Sequence, residues 1–320
     1  ATDRKNSLGS NAGELIHEIS KFLKSKSYSC CIVHGDTLTA MCGALAAFYS
    51  GLNVCHLEAG LRTEDIRSPF PEEANRKLIS SICHTHYAPT ELAKSNLRRE
   101  GYSEKNIIVT GNTIVDSIRT AIENDLVVPS NTGRANFAGL SQLLLKNSLK
   151  TLVLVTCHRQ ENFGNGIKNL CYCLKDFSAS HSELIFVFPV HPNPKIKLVA
   201  QNILGRVNNI HLIDPLGYFD FLTLLSQCRF CISDSGGIQE EARSLGVPLL
   251  LYRNITERPE ILAWENCVLS KPDSNNLTID LEKLLLLSRN RVSSLSIQSS
   301  VFGDGHASEI IVNDLKKFIN

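Results

Sequence analysis

The chain has 320 residues, 43% of them hydrophobic, and a net charge of +1 from 33 basic and 32 acidic side chains. That size can bury a large core and favours about two domains, while the balanced charge leaves no electrostatic footprint for nucleic acid or an anionic membrane. No apolar run approaches the roughly 20 residues that span a bilayer, and the opening ATDRKNSLGSNAGEL lacks the apolar middle of a signal peptide, so a cytoplasmic protein is expected.

In chain order, apolar β-rich runs alternate with helical patterns. SCCIVHGD is followed by TAMCGALAAFYSGL, NVCHLEAG, a helix from PEEANRKLISSI, THYAPT and another helix. Such alternation predicts parallel βαβ units. Between about Asn124 and Lys150 the pattern weakens into VVPSNTGRANFAG, whose proline, glycine and asparagine suit a linker. A second series then runs through LKTLVLVTCHR, SELIFVFPVH, NNIHLID, RFCISDS and VPLLLY, and ASEIIVNDLKKFIN reads as a closing amphipathic helix. The expected fold is α/β with two Rossmann-like parallel-sheet domains. The first covers 1–128 and is joined by the closing helix at 306–320; the second covers 129–305.

Eleven cysteines, an odd number in a long chain and several inside apolar runs, read as reduced core residues and not as a disulfide framework. Cys228 and Cys231 form a CxxC. No second pair follows at zinc spacing, and redox pairs usually open a helix whereas this one enters a strand, so inert buried thiols are expected.

The chemically informative residues fall in one kind of place. Asp36 ends CIVHGD, Glu58 ends VCHLEAG, His158 ends LVLVTCH, His191 ends IFVFPVH, and Ser235 with its glycines ends CISDSGG. Ligands of open parallel sheets bind beyond the carboxyl ends of the strands, so an interdomain cleft is the expected site. In CISDSGGIQEE, Gly236 and Gly237 lack a Cβ and precede a helix whose first N–H groups are unpaired, a combination that suits a phosphate. Glu241, four residues after Gly237, would repel phosphate but could accept hydrogen bonds from sugar hydroxyls, so a nucleoside diphosphate fits both features. The plain alternative is a tight turn followed by acids in a first helical turn, where they are favoured.

In SPFPEEANRKL, Pro71 suits a first helical position, and Glu72 and Arg76 stand at i and i+4. That pair is either a surface helix-stabilising bridge or part of a carboxylate group with Asp36 and Glu58. Grouped carboxylates are how acid/base catalysts are made. His158 is either an acid, base or phosphate ligand or a satisfied strand-end histidine.

Taken together, VHGDT at 33–37, HLEAGLRT at 56–63, SPFPEEANRKL at 68–78, GNTIVDS at 111–117, HRQENFG at 158–164, PVHPNP at 189–194, SDSGGIQEE at 233–241, TERPE at 256–260 and the later FGDGHAS resemble the non-hydrolysing UDP-N-acetylglucosamine 2-epimerases. The resemblance covers essentially the whole chain. It implies a glycosyltransferase-B-like architecture, UDP held mainly by the second domain, and epimerisation at C2 of UDP-GlcNAc by elimination of UDP to 2-acetamidoglucal and re-addition, with no metal or nicotinamide cofactor. Carried over by motif, Asp36, Glu58 and Glu72 are the acid/base carboxylates, His158 assists at the diphosphate or in proton transfer, and Arg76 orients Glu72. Ser235, Gly236 and Gly237 bind diphosphate, Glu241 the ribose, and Phe221 lies near the uracil. Arg159, Arg258 and His191 are further ligand residues, His191 at a regulatory site. The resemblance also implies a homodimer, UDP-ManNAc as the second substrate, UDP-GlcNAc as an allosteric activator, and supply of ManNAc-type sugars for cell-surface polysaccharide.

The family's usual first strand, its glycine-threonine-arginine-proline-glutamate loop and a following lysine are not in this sequence, which begins about 60 residues into the expected pattern. Strands that would cover SCCIVHGD are therefore expected to be missing from the first sheet, with an exposed edge as the consequence. Alternatives to an active epimerase are a catalytically weak UDP-sugar-binding paralogue or fragment and a glycosyltransferase on the same scaffold.

Overall fold

The computed structural model describes residues 7–127, 151–272, 276–291, 296–298 and 300–319. The chain divides into two compact units, Ala1–Asp116 with Val301–Asn320, and Ser117–Ser300. This division differs from the expected boundary at 128/129 and return at 306. The expected linker lies largely at 128–150, outside the described residues. The reason for the earlier break is local: Asp116 accepts hydrogen bonds from the N–H groups of Ala307 and Ser308, which ties it to the returning chain.

The first unit contains α1 (Leu8–Leu23), β1 (Cys30–His34), α2 (Leu38–Tyr49), β2 (Asn53–Leu57), α3 (Glu72–Ile82), β3 (Thr85–Ala88), α4 (Glu91–Arg99) and β4 (Ile107–Val109), and α5 (Thr113–Glu123) begins in it. Its sheet is parallel in the order β1-β2-β3-β4. Thr37 starts α2 by accepting the N–H of Ala40 on its side-chain oxygen, the role for which threonine is favoured at a helix N-terminus. Ala40, Ala44 and Ala47 then fall at helical spacing on one face and pack with Val33, Val54 and Ile79. Small residues on that face bring helix and sheet close together. Among the described residues β1 is an edge strand, and Ile32 on it is 47% exposed.

The second unit contains β5 (Thr151–Thr156), α6 (Asn165–Ser180), β6 (Leu184–Pro189), α7 (Pro194–Leu204), β7 (Ile210–Ile213), α8 (Tyr218–Gln227), β8 (Phe230–Ser233), α9 (Gly236–Ser244), β9 (Leu249–Tyr252), β10 (Cys267–Ser270) and α10 (Leu277–Leu287); α11 (Ala307–Leu315) then closes the chain in the first unit. Its strands are all parallel in the order β10-β9-β8-β5-β6-β7. They are nearly continuous apolar runs because both faces are covered. Val153, Val155, Phe186, Phe188, Phe230, Ile232 and Leu250 form the centre of one large core. Truncating Phe186 to alanine there costs about 3–5 kcal/mol.

This order decides where chemistry can occur. The chain leaves β5 in one direction through β6 and β7, then returns to the other side of β5 with β8, β9 and β10. The crossovers on the two sides diverge, which opens a crevice beyond the carboxyl ends of β5 and β8.

All eleven cysteines are free thiols. Cys228 and Cys231 are buried, and burial pushes the Cys228 thiol up to about 12 and that of Cys231 well above its usual value. The expectation that the cysteines are all core residues needs correction: Cys30, Cys31, Cys83, Cys173 and Cys267 are only half-buried.

Candidate active site

In the first unit, the site is built where β1 and β2 end. The turn after β1 needs glycine at position 35, where φ is +71°, and the Gly35 N–H donates to the Leu57 carbonyl at 3.0 Å. The Gly35 carbonyl accepts from Nε2 of His56 at 2.8 Å. Burial drives the His56 pKa down to about 4, so the ring is neutral and this nitrogen carries its proton. The turn that presents Asp36 is thereby clamped to β2 from both sides.

Asp36 and Glu58 follow neighbouring strands. Arg76 Nη2 reaches Asp36 Oδ2 at 2.6 Å, and its Nη1 reaches Glu73 Oε2 at 2.6 Å. Glu73 is fully buried and also accepts the N–H of Thr63 at 3.2 Å, while Asn75 Nδ2 donates to the Asp36 carbonyl at 2.8 Å. The fork of Arg76, expected to orient Glu72, thus reaches Asp36 and Glu73. Glu72 opens α3, and its Oε2 is buried without a hydrogen-bond partner among the described residues. Glu58 has φ +62°, a conformation few non-glycine residues adopt and one that clusters at functional sites. Its Oε1 accepts from Asn112 Nδ2 at 2.7 Å, with His34 Nε2 at 3.6 Å.

In the second unit, the loops after β5 and β8 are joined by one buried carboxylate. Asp234 accepts the N–H of His158 on both oxygens, at 3.1 and 3.0 Å, the N–H of Arg159 at 2.9 Å and Asn162 Nδ2 at 2.8 Å. The His158 Nδ1 lies 3.4 Å from the same carboxylate. Burial lowers the His158 pKa, against the opposing pull of Asp234, so a neutral imidazole is favoured. Its ring stacks on His191 with centroids 6.3 Å apart.

Helix α9 begins at Gly236. Ser235 is its N-cap, but the serine side chain makes no capping hydrogen bond, so the first N–H groups of the helix are not capped by it. A Cβ on Gly236 would lie 2.9 Å from Arg258 Nη1, 2.9 Å from Glu257 Oε1 and 3.2 Å from Arg159 Nη2. Any larger residue here would push these side-chain tips aside. Behind it, Arg258 pairs with Glu240 at 2.7 Å and with Glu257 at 2.6 Å, and Arg253 pairs with Glu257 at 2.8 Å. Arg258 therefore builds the buried wall of the turn.

Glu240 and Glu241 lie beyond the first turn of α9 and are buried, so they are not the helix-start acids of the plain alternative. Glu241 is hydrogen-bonded with Tyr218, and burial raises its pKa to about 7. Phe221 is half-buried on α8.

Sequence reasoning missed Asp234, Glu73, Asn112, His56, Arg253 and Glu257. Asp234 stood inside the stretch that drew attention, one residue past the strand, and Glu73 stood beside Glu72. Their partners arrive from other elements, which spacing along one helix cannot reveal. Among the described residues no group of three or more His, Cys, Asp or Glu side chains could hold a metal ion.

These arrangements supply carboxylates fixed by hydrogen bonds in one unit and a helix N-terminus lined by arginines in the other. The family model described as UDP-N-acetylglucosamine 2-epimerase matches residues 1–316. A UDP-N-acetylglucosamine 2-epimerase of Salmonella borreze is 41% identical over 97% of this chain and 81% of its own length. The UDP-GlcNAc 2-epimerase of Neisseria meningitidis, solved bound to UDP-GlcNAc, is 36% identical with a TM-score of 0.86 over 99% of this chain and 84% of that one. That of Methanocaldococcus jannaschii, solved with UDP-GlcNAc and UDP, is 32% identical with a TM-score of 0.81 over 98% and 82%. A UDP-forming trehalose-phosphate synthase of Burkholderia xenovorans, 12% identical with a TM-score of 0.60 over 100% and 81%, shares the glycosyltransferase-B-like fold alone.

Proposed function

Given that the chain belongs to the UDP-N-acetylglucosamine 2-epimerase family and is an isomerase of that class, we propose that it interconverts UDP-GlcNAc and UDP-ManNAc by eliminating UDP and adding it back. A carboxylate removes the proton from C2 as the C1–O bond to UDP breaks, giving 2-acetamidoglucal. Re-addition returns a proton to the opposite face of C2 and UDP to C1. Asp36, Glu58 and Glu72 serve as the acid and base groups, and the uncapped start of α9, with Arg159 at its wall, takes the diphosphate. His158, neutral and oriented by Asp234, assists at the diphosphate or in proton transfer.

The observation that carries this reading is the placement of Asp36 and Glu58. They follow adjacent strands, Glu58 Oε2 lies 3.4 Å from where a Cβ on Gly35 would stand, and each carboxylate is held by a donor. Groups fixed in this way can exchange protons with a bound carbon acid without reorganising first. Glu241 takes the ribose hydroxyls, and Phe221 lies near the uracil. The proposal extends to His191 as a regulatory residue, UDP-GlcNAc as activator, a homodimer, a cytoplasmic location and ManNAc-type sugars for cell-surface polysaccharide. Among the described residues no helix is long and apolar enough to cross a membrane.

The test is incubation with UDP-GlcNAc in deuterated water, followed by NMR at C2. Deuterium at C2 in both epimers is expected. Binding without exchange would point to a UDP-sugar-binding protein, and transfer to an acceptor without exchange to a glycosyltransferase; either result overturns the proposal.

A further inference from the structure

Two motifs, GNTIVDS at 111–117 and FGDGHAS at 302–308, supply none of the acid, base or ligand residues named above. The fold lays one against the other. Gly111 has φ +81°, and a Cβ on it would stand 3.0 Å from the Phe302 carbonyl oxygen; Gly303 has φ +105°, and a Cβ there would stand 3.1 Å from Gly111 Cα. Two backbones this close require glycine on both sides. The contact is fastened at each end: the Asn112 N–H donates to the Phe302 carbonyl at 2.8 Å, and Asp116 accepts from Ala307 at 3.1 Å and from Ser308 at 2.7 Å.

The clasp holds Asn112 in one orientation. Its Oδ1 accepts the N–H of Ile114 at 3.1 Å, so the amide cannot flip without losing that bond, and Nδ2 is directed at Glu58 Oε1, 2.7 Å away. An amide nitrogen only donates, so Oε1 acts there as an acceptor, and a proton carried by Glu58 belongs on Oε2. That second oxygen lies on the side of the Gly35 turn, which presents Asp36.

We infer that Asn112 is a positioning residue that selects Oε2 as the reacting oxygen of Glu58, and that the returning segment 302–308 holds Asn112 in place for this purpose. The inference rests on the reading of Glu58 as an acid or base group.

The test uses the full chain, with kcat and KM for UDP-GlcNAc, calorimetric UDP affinity, and deuterium exchange at C2 for the slow variants. Asn112→Ala should lower kcat by roughly tenfold to a hundredfold while KM and UDP affinity stay within about threefold. Asn112→Asp keeps the acceptor for Ile114 but sets a second carboxyl against Glu58. It should be slow at neutral pH and recover part of its kcat at lower pH, where one proton bridges the pair. In a Glu58→Gln background, Asn112→Ala should have little further effect. Gly303→Ala, which pushes the clasp apart, should reproduce the kcat loss with UDP affinity unchanged.

Normal kcat in both Asn112 variants overturns the inference, as do losses that simply add to that of Glu58→Gln. Normal kcat in Gly303→Ala removes the clasp from it. Should Asn112→Ala fail to fold, the near-isosteric Asn112→Asp and its pH profile decide. If Glu58→Gln itself turns over normally, the acid/base reading has failed instead, and the two failures are distinct.

Discussion

Arg76 Nη2 stands 2.6 Å from Asp36 Oδ2, with the rest of the guanidinium buried and its Nη1 bound to Glu73. One planar cation therefore orients a half-exposed carboxylate by leaning on a buried one. Lysine has one compact head and cannot bridge two acids in this way. Arg76→Lys should lower turnover by on the order of 10²-fold, leave UDP affinity nearly unchanged, and destabilise the fold by about 1–3 kcal/mol, since the charge is kept but one of the two carboxylates loses its charge-assisted hydrogen bond. Denaturant unfolding and steady-state kinetics together check it; a stable and active lysine variant would show that the bridge is not needed.

Asp36→Asn, Glu58→Gln and Glu72→Gln remove one proton-transfer group each without changing its size. Each should lower turnover by roughly 10²- to 10⁴-fold and leave UDP affinity within several-fold. Turnover near that of the parent in all three would end the acid/base assignment.

The start of α9 and Glu241 should fail in different ways. Gly237→Val places a branched side chain in the first turn of α9, the helix start assigned to the diphosphate, so UDP binding should weaken while uridine binding hardly changes. Glu241→Ala removes the proposed ribose acceptor, so UDP and uridine should both weaken by on the order of tenfold, about 1.4 kcal/mol. Calorimetric titration of both ligands against both variants separates the roles. Normal uridine binding by Glu241→Ala would leave that glutamate a buried partner of Tyr218 and nothing more.

Two kinds of buried group give opposite pH dependences of stability. His56 and His86 sit opposite each other on β2 and β3, and burial lowers each to about 4 from 6.5. The unfolded chain therefore binds their protons first as pH falls, and the stability they allow above pH 6.5 is lost between 6.5 and 4, by roughly 3 kcal/mol for fully buried His56. Glu241 runs the other way: raised to about 7 by burial, it binds its proton more tightly in the fold, and stability is lost as pH rises from 4.5 through 7. His56→Gln should flatten the acid limb of a stability–pH curve, and Glu241→Gln should flatten the fall between 4.5 and 7. Curves parallel to that of the parent chain would refute both assignments.

The alternation of apolar runs and helical patterns was enough to read two parallel-sheet regions, because strands covered on both faces must be apolar throughout and the crossovers between them must be long. The same logic placed Asp36, Glu58, His158, His191 and Ser235 at strand ends, where each follows its strand by one or two residues. The resemblance carried by the motifs added the chemistry. Strand order could not be read in this way. That β8 returns beside β5 depends on which sheet edge is open when the chain comes back, and from that order follows the single carboxylate, Asp234, shared by the loops after both strands. Partner choice escaped for a related reason. Glu72 and Arg76 are at i and i+4, but the cation pairs with Asp36, which is brought in from 40 residues away, and with the neighbouring Glu73. Local spacing ranks the contacts a helix can make with itself; only tertiary packing decides which of them survive burial, because a buried charge goes to the partner that best satisfies it.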